Sequence, residues 1–237
     1  MAEGKNLFVA LIPDGGRRAV GGDVSRYKES YERGAEVVGD ILKLCVADSR
    51  VKVFAAWGLS DDNAQKRTLI ERKILSGIFC EYLTKLRRDV DTDPYQGVQV
   101  VHMGNPEFLD EEVHDCILDV TEHTKGRMQK VFGLCLGYGS HEEMQRAVTL
   151  SQTHPIGIDW RRHLDLPSRG NMPYQHVDLI VRTGTDPQKP YTSGYLLPYQ
   201  GPGTQERFVQ DFLPSFAPER FMAFVDEVAA QEQRRGA

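Results

Sequence analysis

Apolar residues recur along the chain with two different periods. Mostly apolar runs at Leu7-Phe8-Val9-Ala10-Leu11-Ile12, Val51 to Leu59, Val98 to Met103, Lys130 to Leu136 and Val177 to Arg182 have the length and the β-branched and aromatic content of buried strands. Between them the spacing becomes helical. Ala35, Val38, Ile41, Leu42 and Cys45 form one stripe in a helix from about Lys28 to Ala47. Leu69, Ile70, Ile74, Ile78, Phe79, Tyr82, Leu83 and Leu86 give a wider apolar face to a long helix from about Lys66 to Arg88. Further helices are predicted from Glu111 to Thr124, after the stretch Gly137 to Glu143, and from about Pro218 to Gln233. Ser151 to Gln175, with three prolines, reads as loops and a short helix. Strands alternating with helices predict an α/β fold: one domain over residues 1–237, a mostly parallel central sheet, and helices on its faces.

Polar clusters stand where these strands end. The first strand runs into Asp14-Gly15-Gly16-Arg17-Arg18, the second into Ser60-Asp61-Asp62-Asn63, and Arg182 is the last residue of the fifth. Open parallel sheets bind ligands along the edge made by their strand C-termini, so Asp14, Asp62 with Asn63, and Arg182 are expected in one site. A carboxylate, glycine amides and two guanidinium groups within five residues suit a phosphate bridged by Mg²⁺: the acid takes the metal, the amides and Arg17 or Arg18 the oxygens. The apolar face of the long helix packs the core and can also wall a greasy tunnel. Gly137-Tyr138-Gly139 does not read as a dinucleotide fingerprint, because the third glycine is missing and the motif lies past mid-chain.

Composition narrows the picture. With 29 Lys and Arg against 34 Asp and Glu, the net charge is -5, so a nucleic-acid footprint is not evident and the arginines read as local tools. No apolar run approaches the ~20 residues of a membrane span. The N-terminus lacks a signal-peptide h-region, so a cytoplasmic protein is expected. Cys45, Cys80, Cys116 and Cys135 are scattered without C-x-x-C spacing and are expected as reduced thiols.

Six segments, in order, resemble the cis-prenyltransferase family of undecaprenyl diphosphate synthases. Ile12-Pro13-Asp14-Gly15-Gly16-Arg17-Arg18 is similar to that family's I-M-D-G-N-G-R-W, and Gly58-Leu59-Ser60-Asp61-Asp62-Asn63 to its A-F-S-T-E-N. Tyr138-Gly139 resembles Y-G-G, Val177 to Gly184 resembles D-L-I-I-R-T-S/G, Ser193 to Leu197 resembles S-N-F-L-L, and Phe212 to Phe216 resembles V-L-W-P-D-F. Arg234-Arg235-Gly236 fits the R-x-G ending, which in a homodimer reaches the other subunit's site.

The resemblance implies an enzyme with a hydrophobic tunnel that condenses two isoprenoid diphosphates with the help of Mg²⁺. Asp14 would hold the metal, with Glu206 as the nearest second acid, beside Gln205. Gly15, Gly16, Arg17 and Arg18 would bind the allylic diphosphate. Arg182, Ser193 and the partner's Arg234 would bind the second substrate, while Ser60, Asp62 and Asn63 would orient the reacting groups. Departures from the family pattern bear on which reaction is run. Gly16 replaces Asn, Arg17 replaces Gly, Ala19 replaces Trp and Tyr31 stands near the usual His; Tyr191 or Lys189 occupies the place of an arginine that binds isopentenyl diphosphate. Several of these changes resemble the lavandulyl-type branch, which joins two allylic diphosphates head-to-middle. Head-to-tail elongation with isopentenyl diphosphate is the alternative. A scaffold-type member would have lost Asp14, and a nucleotide-binding oxidoreductase would need the Gly-Tyr-Gly turn to hold a pyrophosphate.

Overall fold

The computed structural model describes residues 6–127, 129–153, 159–166, 176–191 and 195–235, with side chains to residue 231. Six strands, β1 (Leu7–Ile12), β2 (Val51–Ser60), β3 (Val98–Met103), β4 (Lys130–Tyr138), β5 (Leu179–Arg182) and β6 (Gln205–Phe208), form one sheet in the order β3-β4-β2-β1-β5-β6. Every pairing is parallel. All six residues of β1 are buried, because helices cover both faces and leave no solvent side for polar alternation.

The helices are α1 (Gly16–Ala19), α2 (Tyr27–Ala47), α3 (Asp61–Lys66), α4 (Leu69–Asp89), α5 (Glu111–Thr124), α6 (Ser140–Thr153) and α7 (Pro218–Arg235). Successive β1 residues point to opposite faces and so belong to different cores. Leu7, Val9 and Leu11 pack with Val37 and Ile41 of α2, Leu83 of α4 and Ile117 of α5; Phe8, Ala10 and Ile12 pack with Ala147 of α6, Tyr195 and Tyr199. No helix among the described residues is long and apolar enough to cross a membrane.

Two elements differ from the expected layout. The helix expected to begin near Lys66 begins at Leu69: Thr68 caps it in a capping box with Glu71, and Arg67 is extended at ψ 147°, which separates the short α3 from α4. Leu69 and Ile70, assigned to an apolar inner face, are 67% and 63% exposed in that first turn. Gln205–Phe208, unassigned in the sequence, is the edge strand β6, held by register with β5. The irregular stretch contains a 3-10 turn at Trp160–His163, and much of the rest of it lies outside the described residues.

Candidate active site

β1 lies between β2 and β5, with Ile12 in register with Arg182. The loops after β1 and β5 therefore leave the sheet side by side. Thr183 Oγ1 ties them, accepting from Asp14 N at 2.8 Å and donating to Asp14 O at 2.8 Å, and Leu213 N donates to the same carbonyl at 3.1 Å. Gly15 turns the chain at φ 99°, and a Cβ there would meet Phe212 Cδ1 at 2.5 Å, so only glycine fits.

Asp14 is held from two sides. Arg182 NH2 lies 3.0 Å from its Oδ2, and Arg18 NH2 lies 3.1 Å from its Oδ1, which also accepts from Gly15 N at 2.6 Å. The Gly15 amide is thus engaged by Asp14 itself. Arg182 is buried in β5, donates from NH1 to Tyr191 O at 2.7 Å, and lies 5.1 Å and 5.7 Å from the ring centroids of Tyr191 and Tyr195. Its Nε is buried and has no hydrogen-bond partner among the described residues.

A cavity of about 640 Å³ opens at Asp14 and runs between α2 and α4. Its polar mouth includes Gly15, Gly16, Arg17, Arg18, Asn63 and Arg67, and its apolar depth is lined by Ala35, Val38, Gly58, Leu75, Phe79 and Leu213. That volume is in the range of small-molecule sites, ~300–1,000 Å³. Ala35 and Val38, counted in the core stripe of α2, face this space. Among the described lining residues Asp14 is the only carboxylate.

The structure gathers Asp14, Gly15, Gly16, Arg17, Arg18 and Asn63 around this mouth, with Arg182 joined to it through Asp14. Ser60 Oγ caps α3, accepting from Asn63 N at 3.0 Å. Asp62 stands apart, exposed and paired with Lys66 at 2.7 Å, as expected of an acid in the first turn of a short surface helix. Glu206 is not beside Asp14: it is in register with Ile180, which pairs with Ala10, four residues before Asp14. Burial raises its pKa. Ser193 and the side chain of Arg234 lie outside the described residues.

Arg67 was missed by sequence reasoning. Thr68-Leu69-Ile70-Glu71 is a capping-box pattern, and reading it would have ended α3 at Lys66 and put Arg67 in the joint beside Asn63. Glu71 is buried, yet its pKa is lowered. Burial acts to raise it, but bonds from Thr68 N and Oγ1 and the charges of Arg67 and Arg17 prevail.

The donor set also limits how a metal can bind. Among the described residues no group of three or more His, Cys, Asp or Glu side chains surrounds a common point. One partly exposed carboxylate at a cavity mouth fits Mg²⁺ that takes its other oxygens from water and a diphosphate, the usual arrangement for this ion.

Residues 12–236 match the prenyltransferase family model for undecaprenyl diphosphate synthase. The chain belongs to this family. The prenyltransferase is 27% identical over 235 residues to tritrans,polycis-undecaprenyl-diphosphate synthase (geranylgeranyl-diphosphate specific) of Pyrobaculum aerophilum, an alignment that covers 96% of this chain and 94% of that protein. It is 26% identical to isoprenyl transferase 2 of Corynebacterium efficiens, over 96% of this chain and 92% of that one. The prenyltransferase shares its fold with lavandulyl diphosphate synthase from Lavandula x intermedia, solved in complex with dimethylallyl diphosphate, at a TM-score of 0.77, 21% identity and 94% coverage of both chains.

Proposed function

We propose that this prenyltransferase joins dimethylallyl diphosphate head-to-middle with an allylic diphosphate, dimethylallyl or geranyl, to give a branched, lavandulyl-type diphosphate. The whole chain acts as one catalytic domain, in a homodimer to which each subunit lends the other its Arg234. The observation that carries the reading is Asp14 itself: one carboxylate at the mouth of an apolar cavity, with Arg18 on one oxygen and Arg182 on the other. The donor's hydrocarbon lies between α2 and α4, and its diphosphate meets Arg17, Arg18 and the Gly16 backbone. Asp14 would hold Mg²⁺ together with that diphosphate, and the ion would neutralise charge on the departing oxygens.

The C1–O bond of the donor breaks and its electron pair leaves with the diphosphate, whose charge Arg18 and Arg17 offset. The acceptor's double bond attacks C1. Bonding at C2 of dimethylallyl diphosphate leaves positive charge at C3, and loss of a methyl proton gives the branched alkene. Among the described lining residues no carboxylate other than Asp14 is on hand to take that proton, and Asp14 is held by two guanidinium groups. The released diphosphate is the base; Asn63 orients it, and Ser60 fixes Asn63 through the α3 cap.

Support for a dimethylallyl acceptor comes from the second-substrate side, where Tyr191 or Lys189 stands in place of the usual arginine, and from the fold shared with lavandulyl diphosphate synthase. Head-to-tail elongation with isopentenyl diphosphate is the second reading, favoured by the undecaprenyl-diphosphate synthase activity for which the Pyrobaculum relative is named. Incubating the enzyme with dimethylallyl diphosphate alone, with geranyl diphosphate, and with each plus isopentenyl diphosphate separates the two once the dephosphorylated alcohols are analysed. Branched alcohols without isopentenyl diphosphate are expected; product formed only when it is supplied would establish elongation.

A further inference from the structure

Tyr31 and Gly16, two positions that depart from the family pattern, are in contact. A Cβ built on Gly16 would lie 3.0 Å from Tyr31 Cε1 and 3.2 Å from its Cδ1, closer than a side chain tolerates without the ring moving. The backbone of α1 is fixed there, because Ser30 Oγ donates to Gly16 O at 2.7 Å. The Tyr31 ring thus occupies space that is open only because residue 16 has no side chain.

The other end of Tyr31 holds an arginine. Arg67 NH1 donates to the Tyr31 hydroxyl at 2.6 Å, and the guanidinium carbon lies 5.6 Å from the ring centroid. Arg67 sits in the joint between α3 and α4, where the capped start of α4 fixes its backbone but not its long side chain. Its buried Nε has no hydrogen-bond partner among the described residues, and Tyr31 and Arg67 both line the cavity mouth. A guanidinium at the cavity mouth, steadied at NH1 by a phenol, is prepared for an anion. Steadying it beforehand removes rotamer entropy that binding would otherwise have to overcome.

We propose that Tyr31 is a positioning residue that sets Arg67 over the diphosphate of the allylic donor, and that Gly16, Tyr31 and Arg67 work as one unit. The differences at positions 16 and 31 are then a single coupled change, since a larger residue at 16 and a tyrosine ring at 31 compete for the same volume. This rests on the reading that the cavity takes an isoprenoid diphosphate.

A double-mutant cycle on the full chain tests it, with inorganic pyrophosphate titrated calorimetrically into the wild type, Tyr31→Phe, Arg67→Gln and the double variant. Tyr31→Phe keeps the ring and removes only the acceptor of Arg67. It should weaken pyrophosphate binding roughly ten- to a hundredfold, the range for a lost hydrogen bond to a charged group. The double variant should bind no more weakly than Arg67→Gln alone. Gly16→Ala should reproduce the Tyr31→Phe loss by displacing the ring. In turnover, Tyr31→Phe should raise KM for the allylic donor while KM for the acceptor and the melting temperature stay put, a split that a merely structural role would not produce. Wild-type affinity in Tyr31→Phe, or losses that multiply in the double variant, would overturn the unit while leaving the prenyl-transfer reading intact. Failure of the wild type to bind pyrophosphate would overturn both.

Discussion

Glu143, at 0% exposure, accepts from Tyr138 OH and Tyr199 OH at 2.5 Å each and from Asp165 N at 2.9 Å. Burial, with the charge of Asp165 adding to it, pushes its carboxyl up to about 7. An unfolded glutamate releases its proton near ~4.3. Between those two values the folded state keeps a proton that the unfolded state has lost. The stabilisation this gives is complete below the unfolded pKa and disappears as pH rises through the folded one, by about 1.4 kcal/mol per pH unit. Glu143→Gln mimics the protonated form. We expect the wild type to lose on the order of 2–3 kcal/mol relative to Glu143→Gln between pH 5 and pH 8. Paired thermal melts at the two pH values measure this, and an unchanging difference would mean that Glu143 is ionised throughout. Nothing in the string His141-Glu142-Glu143 separates this residue from its neighbour. Glu142 pairs with Arg146 near the surface, whereas Glu143 is enclosed by tyrosines from the end of β4 and from a segment 56 residues downstream.

Among the elements, α2 and α4 set the shape of the cavity, and Phe79 of α4 bounds it. The same ring also lines a small space behind it, with Leu59, Phe108 and Val113. Removing the ring should join the two. Phe79→Ala is expected to raise kcat/KM for farnesyl over geranyl diphosphate by tenfold or more, since each added CH₂ gains ~0.8 kcal/mol when buried. It should also cost roughly 2–4 kcal/mol of stability. Measuring both donors side by side tests this, and an unchanged ratio would show that the cavity ends elsewhere. The elements with a strong period, β1 to β5, α2, α5 and α7, were legible in the sequence because burial on one or both faces writes itself into the spacing. The α3–α4 joint was not, because a continuous apolar stripe hid the cap at Thr68. Strand β6 was not either: Gln-Glu-Arg-Phe carries no apolar pattern, and pairing with β5 alone makes it a strand.

For the whole molecule, the organising fact is that the ends of β1, β2 and β5 meet at one edge. Asp14, Asp62 with Asn63, and Arg182 were expected together because each stands at or just beyond the end of a parallel strand; Asp14, Asn63 and Arg182 do lie at that edge, while Asp62 faces solvent with Lys66. What the sequence did not disclose was how charge is shared there. A net charge of -5 gives no hint that Asp14 sits between two guanidinium groups, or that Arg67 stands at the cavity mouth held by Tyr31. That distribution makes Asp14 central. The most direct measurement is the rate of pyrophosphate release by Asp14→Asn with saturating allylic diphosphates and Mg²⁺, alongside its melting temperature. Release is expected to fall at least about a thousandfold, ~4 kcal/mol of lost transition-state stabilisation, with the fold intact. Release at the wild-type rate would contradict the central place of Asp14.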